Sequence, residues 1–153
     1  MSAQVDNLPQ YRAMTISDVD AVMEIETVIY THPWTRGNFT DSINSGSHCW
    51  MMEISGEAAG YAVTMSGAGE THLLNLSIAL SWQRRGLGHE LLRFVIERAR
   101  ALKSENIFLE VRVSNIGARK LYLGTGFREI GLRRGYYPAY HGREDARVLE
   151  LTL

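Results

Sequence analysis

A single cysteine, Cys49, in a chain of 153 residues leaves no partner for an internal disulfide. That excludes a disulfide-stapled scaffold and makes a reducing compartment the expected setting. No apolar run approaches the ~20 residues that span a bilayer. The opening "MSAQVDNLPQ" lacks the basic and apolar regions of a secretory signal, so the expected location is the cytoplasm. There is no internal repeat, low-complexity tract or linker, which predicts one domain over 1–153 with the first ten residues as a flexible lead-in. The five histidines, at 32, 48, 72, 89 and 141, form no i,i+4 pair and have no cysteine cluster beside them, so no metal is expected. Lysine is scarce as well. Fourteen of the 16 basic residues are arginine, which suits phosphate and carboxylate better than lysine does.

The net charge of −1 hides an asymmetry. Residues 1–81 carry 2 basic and 9 acidic side chains, and residues 82–153 carry 14 basic and 8 acidic. One reading is two solvated surfaces of opposite sign; the other is an anionic ligand on the C-terminal half and a cationic one on the N-terminal half. No motif or stacking platform points to nucleic acid, and none is expected as a partner.

Hydrophobic spacing sets the element order. "MTISDVDAVMEIETVIY" opens with Ser17 and Asp20 at capping-box spacing and places Val22, Ile25 and Ile29 on one face of a helix. Asp18, Asp20, Glu24 and Glu26 surround it. Thr35 caps a second short helix through Ile43. "HCWMMEISGEAAGYAVTM" reads as two strands around a Ser55-Gly56 turn, and "THLLNLSIAL" as a third. A helix follows with Leu87, Leu91, Val95, Ala99 and Leu102 at helical spacing. "NIFLEVRV" alternates, with Ile107, Leu109, Val111 and Val113 on one side and Phe108, Glu110 and Arg112 on the other. Ser114-Asn115 caps a short helix that ends near Gly124–Gly126. Strands near Phe127–Tyr136 and Asp145–Leu153 flank a turn region at Pro138–Gly142. This order predicts an α/β domain with a mixed sheet flanked by helices.

The stretch "WQRRGLGHELLRF", Trp82 to Phe94, sets a strand, two arginines and two glycines before a helix. A helix start has free N–H groups and the positive end of the dipole, and glycines let a ligand approach the backbone. Two phosphate motifs are absent. No lysine follows the glycines, as a P-loop requires, and Leu91 stands where a dinucleotide fingerprint has its third glycine. The plainer alternative is a basic helix start with turn glycines, in which the arginines oppose the dipole. A bound polyanion removes that conflict.

"QRRGLG" resembles the Q/R-x-x-G-x-G/A pyrophosphate loop of the GNAT superfamily of acetyl-CoA-dependent N-acetyltransferases, and the chain from Tyr11 to Leu153 can be laid onto that fold. "HPWTRGNF", "LEVRVSNIGARKLYLGTGF" and "RRGYYPAYHGREDARVLEL" are together similar to the RimI-type ribosomal-protein alanine N-acetyltransferases. The resemblance implies a single GNAT domain: a mixed, mostly antiparallel sheet of about seven strands with about four helices. It also implies acetyl-CoA as co-substrate, its pyrophosphate received by the backbone of Arg84, Arg85, Gly86, Leu87, Gly88 and His89. Main-chain contacts from Leu76, Ser77 and Ile78 would hold the pantetheine arm, with Asn115 touching the same ligand. The implied substrate is the N-terminal alanine of a small-subunit ribosomal protein, the eighteenth. Its basic tail would lie near Trp34, Tyr136 and Tyr137, with Arg143, Glu144 and Asp145 nearby.

Taken alone, Glu110 is either a solvent-facing residue of an alternating strand or a partner of Arg112, and Tyr122 is a core aromatic. The resemblance implies more: Glu110 as general base, directly or through water, and Tyr122, twelve positions on, as general acid for the departing thiolate, with no covalent enzyme intermediate. Cys49 is expected to be a small buried residue. Gly117 departs from the pattern without removing a functional group. Two other readings remain open: acetylation of another protein terminus, a lysine or a small amine, and a non-catalytic acyl-CoA-binding module that needs neither Glu110 nor Tyr122. Oligomeric state is not legible in the sequence.

Overall fold

A computed structural model describes residues 8–153; of the ten-residue lead-in, residues 1–7 lie outside the described part and Gln10 already belongs to a strand. Among the described residues seven strands, β1 (Gln10–Ala13), β2 (His48–Ile54), β3 (Glu57–Gly67), β4 (Glu70–Ile78), β5 (Asn106–Arg112), β6 (Arg128–Pro138) and β7 (Arg143–Thr152), hydrogen-bond in the order β1-β2-β3-β4-β5-β7-β6. Four α-helices accompany them among these residues: α1 (Val19–Ile29), α2 (Arg36–Asn44), α3 (Leu87–Ala101) and α4 (Ile116–Thr125). The pairs β1–β2, β2–β3, β5–β7 and β6–β7 are antiparallel, and β4–β5 is parallel. The expected mixed, mostly antiparallel sheet is therefore observed. A parallel pair needs a crossover, and α3 supplies it.

The chain divides into two compact units, one reaching to Thr64 and taking in Asn75–Leu92, the other made of Met65–Leu74 and Arg93–Leu153. In the first, the β2–β3 hairpin closes at Ser55 and Gly56, with φ of 52° and 79°. Two positive φ values match the twist of paired strands, and glycine adopts the second without strain. Helix α1 begins differently from the sequence reading. A 3-10 turn at Ile16–Asp18 precedes it, and the box joins Thr15 to Asp18, whose carboxylate accepts from Thr15 N at 2.8 Å. Its buried face carries Val19, Val22 and Glu26, while Ile25 and Ile29 are only half-buried.

In the second unit β5 alternates as expected. Ile107, Leu109 and Val111 are buried, and Phe108, Glu110 and Arg112 are half-buried. Leu109 pairs with Leu149 on β7, which is buried too. Helix α3 stops at Ala101, so Leu102 lies beyond it and is 41% exposed rather than part of the apolar stripe. Asn115 caps α4 by accepting from Ala118 N at 3.2 Å, and Gly126 closes it at φ 115°.

One glycine fixes a strand approach. A Cβ at Gly60 would lie 2.5 Å from the Ser77 carbonyl oxygen and 2.9 Å from Ile78 Cδ1. Gly60→Ala therefore forces β3 and β4 apart locally, and overpacking of this kind costs about 1–3 kcal/mol. A melting temperature lower by about 2–10 °C is expected in thermal denaturation; an unchanged melt would show that β4 yields freely.

Candidate active site

The arginine–glycine loop sits in the first unit. After a 3-10 turn at Leu80–Trp82, Gln83 Nε2 donates to the Ile78 carbonyl at 3.0 Å and so ties the loop to the end of β4. Arg84 and Gly86 both take positive φ, 63° and 78°. A left-handed arginine is uncommon, and such turns point successive N–H groups into one concavity, a nest for anions. The Glu90 amide bonds Gly86 O at 3.2 Å, which makes Gly86 the helix cap and leaves Leu87, Gly88 and His89 as the first-turn amides without intrahelical acceptors. Arg84, Arg85 and Gly86 are exposed, and the Arg85 guanidinium stacks 4.9 Å from the Trp82 ring. Nothing lies within 4 Å of where a Gly86 Cβ would stand.

On the adjoining strand, Ser77 is 2% exposed and Leu76 and Ile78 are half-buried. Tyr30 OH bonds the Ser77 hydroxyl at 2.6 Å and donates to the Leu76 carbonyl at 3.3 Å. Burial pushes the Tyr30 phenol up to about 12. Ser77 Oγ donates to Asn75 Oδ1 at 2.6 Å, and Asn75 Nδ2 donates to Glu26 Oε1 at 3.3 Å. The same Glu26 oxygen accepts from Tyr61 OH at 2.6 Å, and Oε2 accepts from the Trp34 amide at 2.9 Å. A carboxylate 1% exposed thus pins Trp34 and, through Asn75, the strand carrying Leu76–Ile78. The Trp34 ring also packs on Phe39, centroids 5.0 Å apart.

Glu26 corrects the sequence reading of an acidic helix surface. Glu26 is buried, Asp18 is bridged by Arg12 at 2.7 Å and Asp20 by Arg36 at 2.7 Å. Glu26 is thus withdrawn from the surface, whereas Asp20 and Glu24 remain exposed on it. Cys49 is buried as expected, and burial lifts its thiol to about 11.

The second unit holds the carboxylate cluster. Glu110 has its side chain 8% exposed on β5. Its Oε2 meets His72 Nε2 at 2.5 Å, and its Oε1 lies 3.7 Å from Arg133 Nε. Its main-chain oxygen accepts from Tyr137 OH at 3.0 Å. Burial alone pushes the Glu110 carboxyl up, but the hydrogen bond and charge of His72 and the charge of Arg133 together outweigh it, leaving the group below the usual carboxylate range. Arg112 is not its partner. That guanidinium bonds Glu144 at 3.1 Å and stacks 4.4 Å from the Tyr137 ring. Glu144 also accepts from the Ser114 amide at 2.8 Å. Tyr136 and Tyr137 stand 4.9 Å apart. Arg143 donates to the carbonyls of Gly135 and Tyr136, whereas Asp145 accepts from the Gly135 amide, so these two do not need each other.

Tyr122 is 7% exposed on α4, its ring edge-on to Phe127 at 5.5 Å. Glu110, Tyr136 and Tyr137 are gathered in one cluster; Leu76–Ile78 and the Arg84–His89 loop are joined by Gln83. His72 was not singled out by sequence. Its pairing with Glu110 follows from the β4–β5 register, in which His72 lies opposite Phe108 and Glu110 is the next residue on the same side. No local pattern records that register.

Known proteins resemble this chain in sequence and in fold. The model of the acetyltransferase (GNAT) family matches residues 19–127. The chain is 32% identical over 141 residues to the [ribosomal protein bS18]-alanine N-acetyltransferase of Escherichia coli K12, covering 92% of this chain and 95% of that one. It is 32% identical over 139 residues to the Haemophilus influenzae protein of the same name, covering 89% and 93%. The crystal structure of the ribosomal-protein-S18-alanine N-acetyltransferase from Escherichia coli superposes with a TM-score of 0.88 at 31% identity, covering 95% of this chain and 94% of that one. The chain belongs to the acetyltransferase (GNAT) family.

Proposed function

We propose that the protein moves acetyl from acetyl-CoA directly to the N-terminal alanine of the small-subunit ribosomal protein bS18. The observation that carries this reading is the 32% identity to a bS18-alanine N-acetyltransferase along nearly the whole chain, with Glu110 set in the partly charged cluster on β5. Acetyl-CoA, when bound, supplies an activated acyl thioester. The protein's own groups do the rest. The amides from Arg84 to His89 hold the diphosphate, and the left-handed Arg84 and Gly86 and the open space at Gly86 fit such a polyanion. The main chain of Leu76, Ser77 and Ile78 lines the pantetheine arm, and Asn115 adds a contact. Glu110 draws the proton from the amine, directly or through water, and Tyr122 gives a proton to the departing thiolate. Trp34, Tyr136 and Tyr137 receive the peptide terminus.

Magnitudes favour an α-amine. With a pKa near ~8, a peptide amine costs about 1.4 kcal/mol to deprotonate at pH 7, against roughly 4.6 kcal/mol for a lysine at ~10.4. A single carboxylate held below its usual range covers the first far more readily. The test is thiol release from acetyl-CoA with a peptide bearing the bS18 N-terminal alanine, beside the same peptide blocked at its amine. Release with the free peptide alone is expected. Equal rates with both would exclude α-amine acetylation, and release with neither would favour a binding module.

A further inference from the structure

Glu110 shares its side of the sheet with a histidine that the reading above leaves without a task. His72 on β4 brings Nε2 to 2.5 Å from Glu110 Oε2, with its own side chain one-third exposed. A carboxylate on a strand can swing about its last torsion, and a hydrogen bond to one oxygen removes that freedom. The other oxygen, Oε1, has Arg133 Nε at 3.7 Å, beyond hydrogen-bond reach, so it keeps acceptor capacity. One oxygen is held and one is available.

We propose that His72 is the positioning residue of the base: its Nε2–H aims Glu110, leaving Oε1 for the substrate amine. The inference rests on the acetyl-transfer reading. A carboxylate held in one orientation presents a fixed acceptor to the amine, whereas a freely turning one does so only part of the time.

The neighbouring groups are committed elsewhere: Tyr137 OH donates to the Glu110 main-chain oxygen, and Arg112 stacks on Tyr137 and pairs with Glu144. Of these groups only His72 comes within hydrogen-bond distance of the Glu110 carboxylate.

The experiment measures kcat and KM for the alanine peptide and for acetyl-CoA. The proteins are the wild type, His72→Gln and His72→Ala, each first shown to be folded by its melting curve. Glutamine supplies an N–H donor in place of the imidazole. His72→Gln should stay within about threefold of wild type in kcat, whereas His72→Ala should lose about tenfold or more. KM for acetyl-CoA should stay within about twofold in both, because the coenzyme loop is untouched. A His72→Gln enzyme as slow as His72→Ala, or a His72→Ala enzyme with wild-type kcat, overturns the inference and leaves acetyl transfer standing. A wild type that turns over no peptide overturns the reading beneath it instead.

Discussion

Glu110→Gln is expected to lower kcat for the alanine peptide by about 10²–10⁴-fold, the usual contribution of a general base. The amide keeps the size of the carboxylate and can still accept from His72, so the fold and the coenzyme loop are spared. KM for acetyl-CoA should therefore stay within about twofold, the pattern of an interaction made in the transition state rather than in binding. Tyr122→Phe should also slow transfer, by a smaller factor because a thiolate leaves readily without a proton. Its buried ring still packs on Phe127, so the melting temperature should move little. Steady-state kinetics with both substrates varied decides the matter. Wild-type rates in the two variants would mean that other side chains carry the chemistry.

The second large effect is on stability. Glu26→Leu should cost about 3–5 kcal/mol, because the Trp34 amide, Tyr61 hydroxyl and Asn75 amide all lose their acceptor inside the protein. Replacing a whole buried polar network by apolar groups is often neutral, but removing only its acceptor strands the donors. For a chain of this size the melting temperature should fall by about 10 °C. Adding Tyr61→Phe to Glu26→Leu removes one stranded hydroxyl and should return about 1 kcal/mol. A double variant less stable than Glu26→Leu would contradict the network. The peptide KM should rise as well, since the Trp34 backbone loses its anchor.

The elements most legible in the sequence were those specified by short-range pattern. The β5 alternation, the Asn115 cap and the Ser55-Gly56 hairpin all follow from residues within one element, and all are found. The helix after the glycines was readable because its apolar stripe and its start signal agree; only its end was overrun, at Leu102. Strand β1 carried no alternation to read. Its four residues become a strand by pairing with β2, from Gln10↔Glu53 to Ala13↔Trp50.

Glu26 shows a different limit. An acidic side chain on an amphipathic helix is read as solvated, and three acidic neighbours strengthened that reading. Yet Glu26 lies four residues after Val22 and seven after Val19, on the buried stripe itself. A carboxylate at that spacing was the available signal, and its donors come from Trp34, Tyr61 and Asn75, too far along the chain to be foreseen. The His72–Glu110 pair was hidden for the same reason. Its members are 38 residues apart and meet only through the parallel register that the α3 crossover imposes. The residues implied by resemblance needed no such register, because the motif carries them along the chain together.

The claim on which the account depends most is that the turn before α3 grips a diphosphate. A crystal structure of the protein with coenzyme A tests it directly. The two phosphates are expected against the main-chain amides of Arg84 to His89, with the pantetheine arm along Leu76, Ser77 and Ile78. Phosphates bound away from that turn, with those amides facing only solvent, would contradict it.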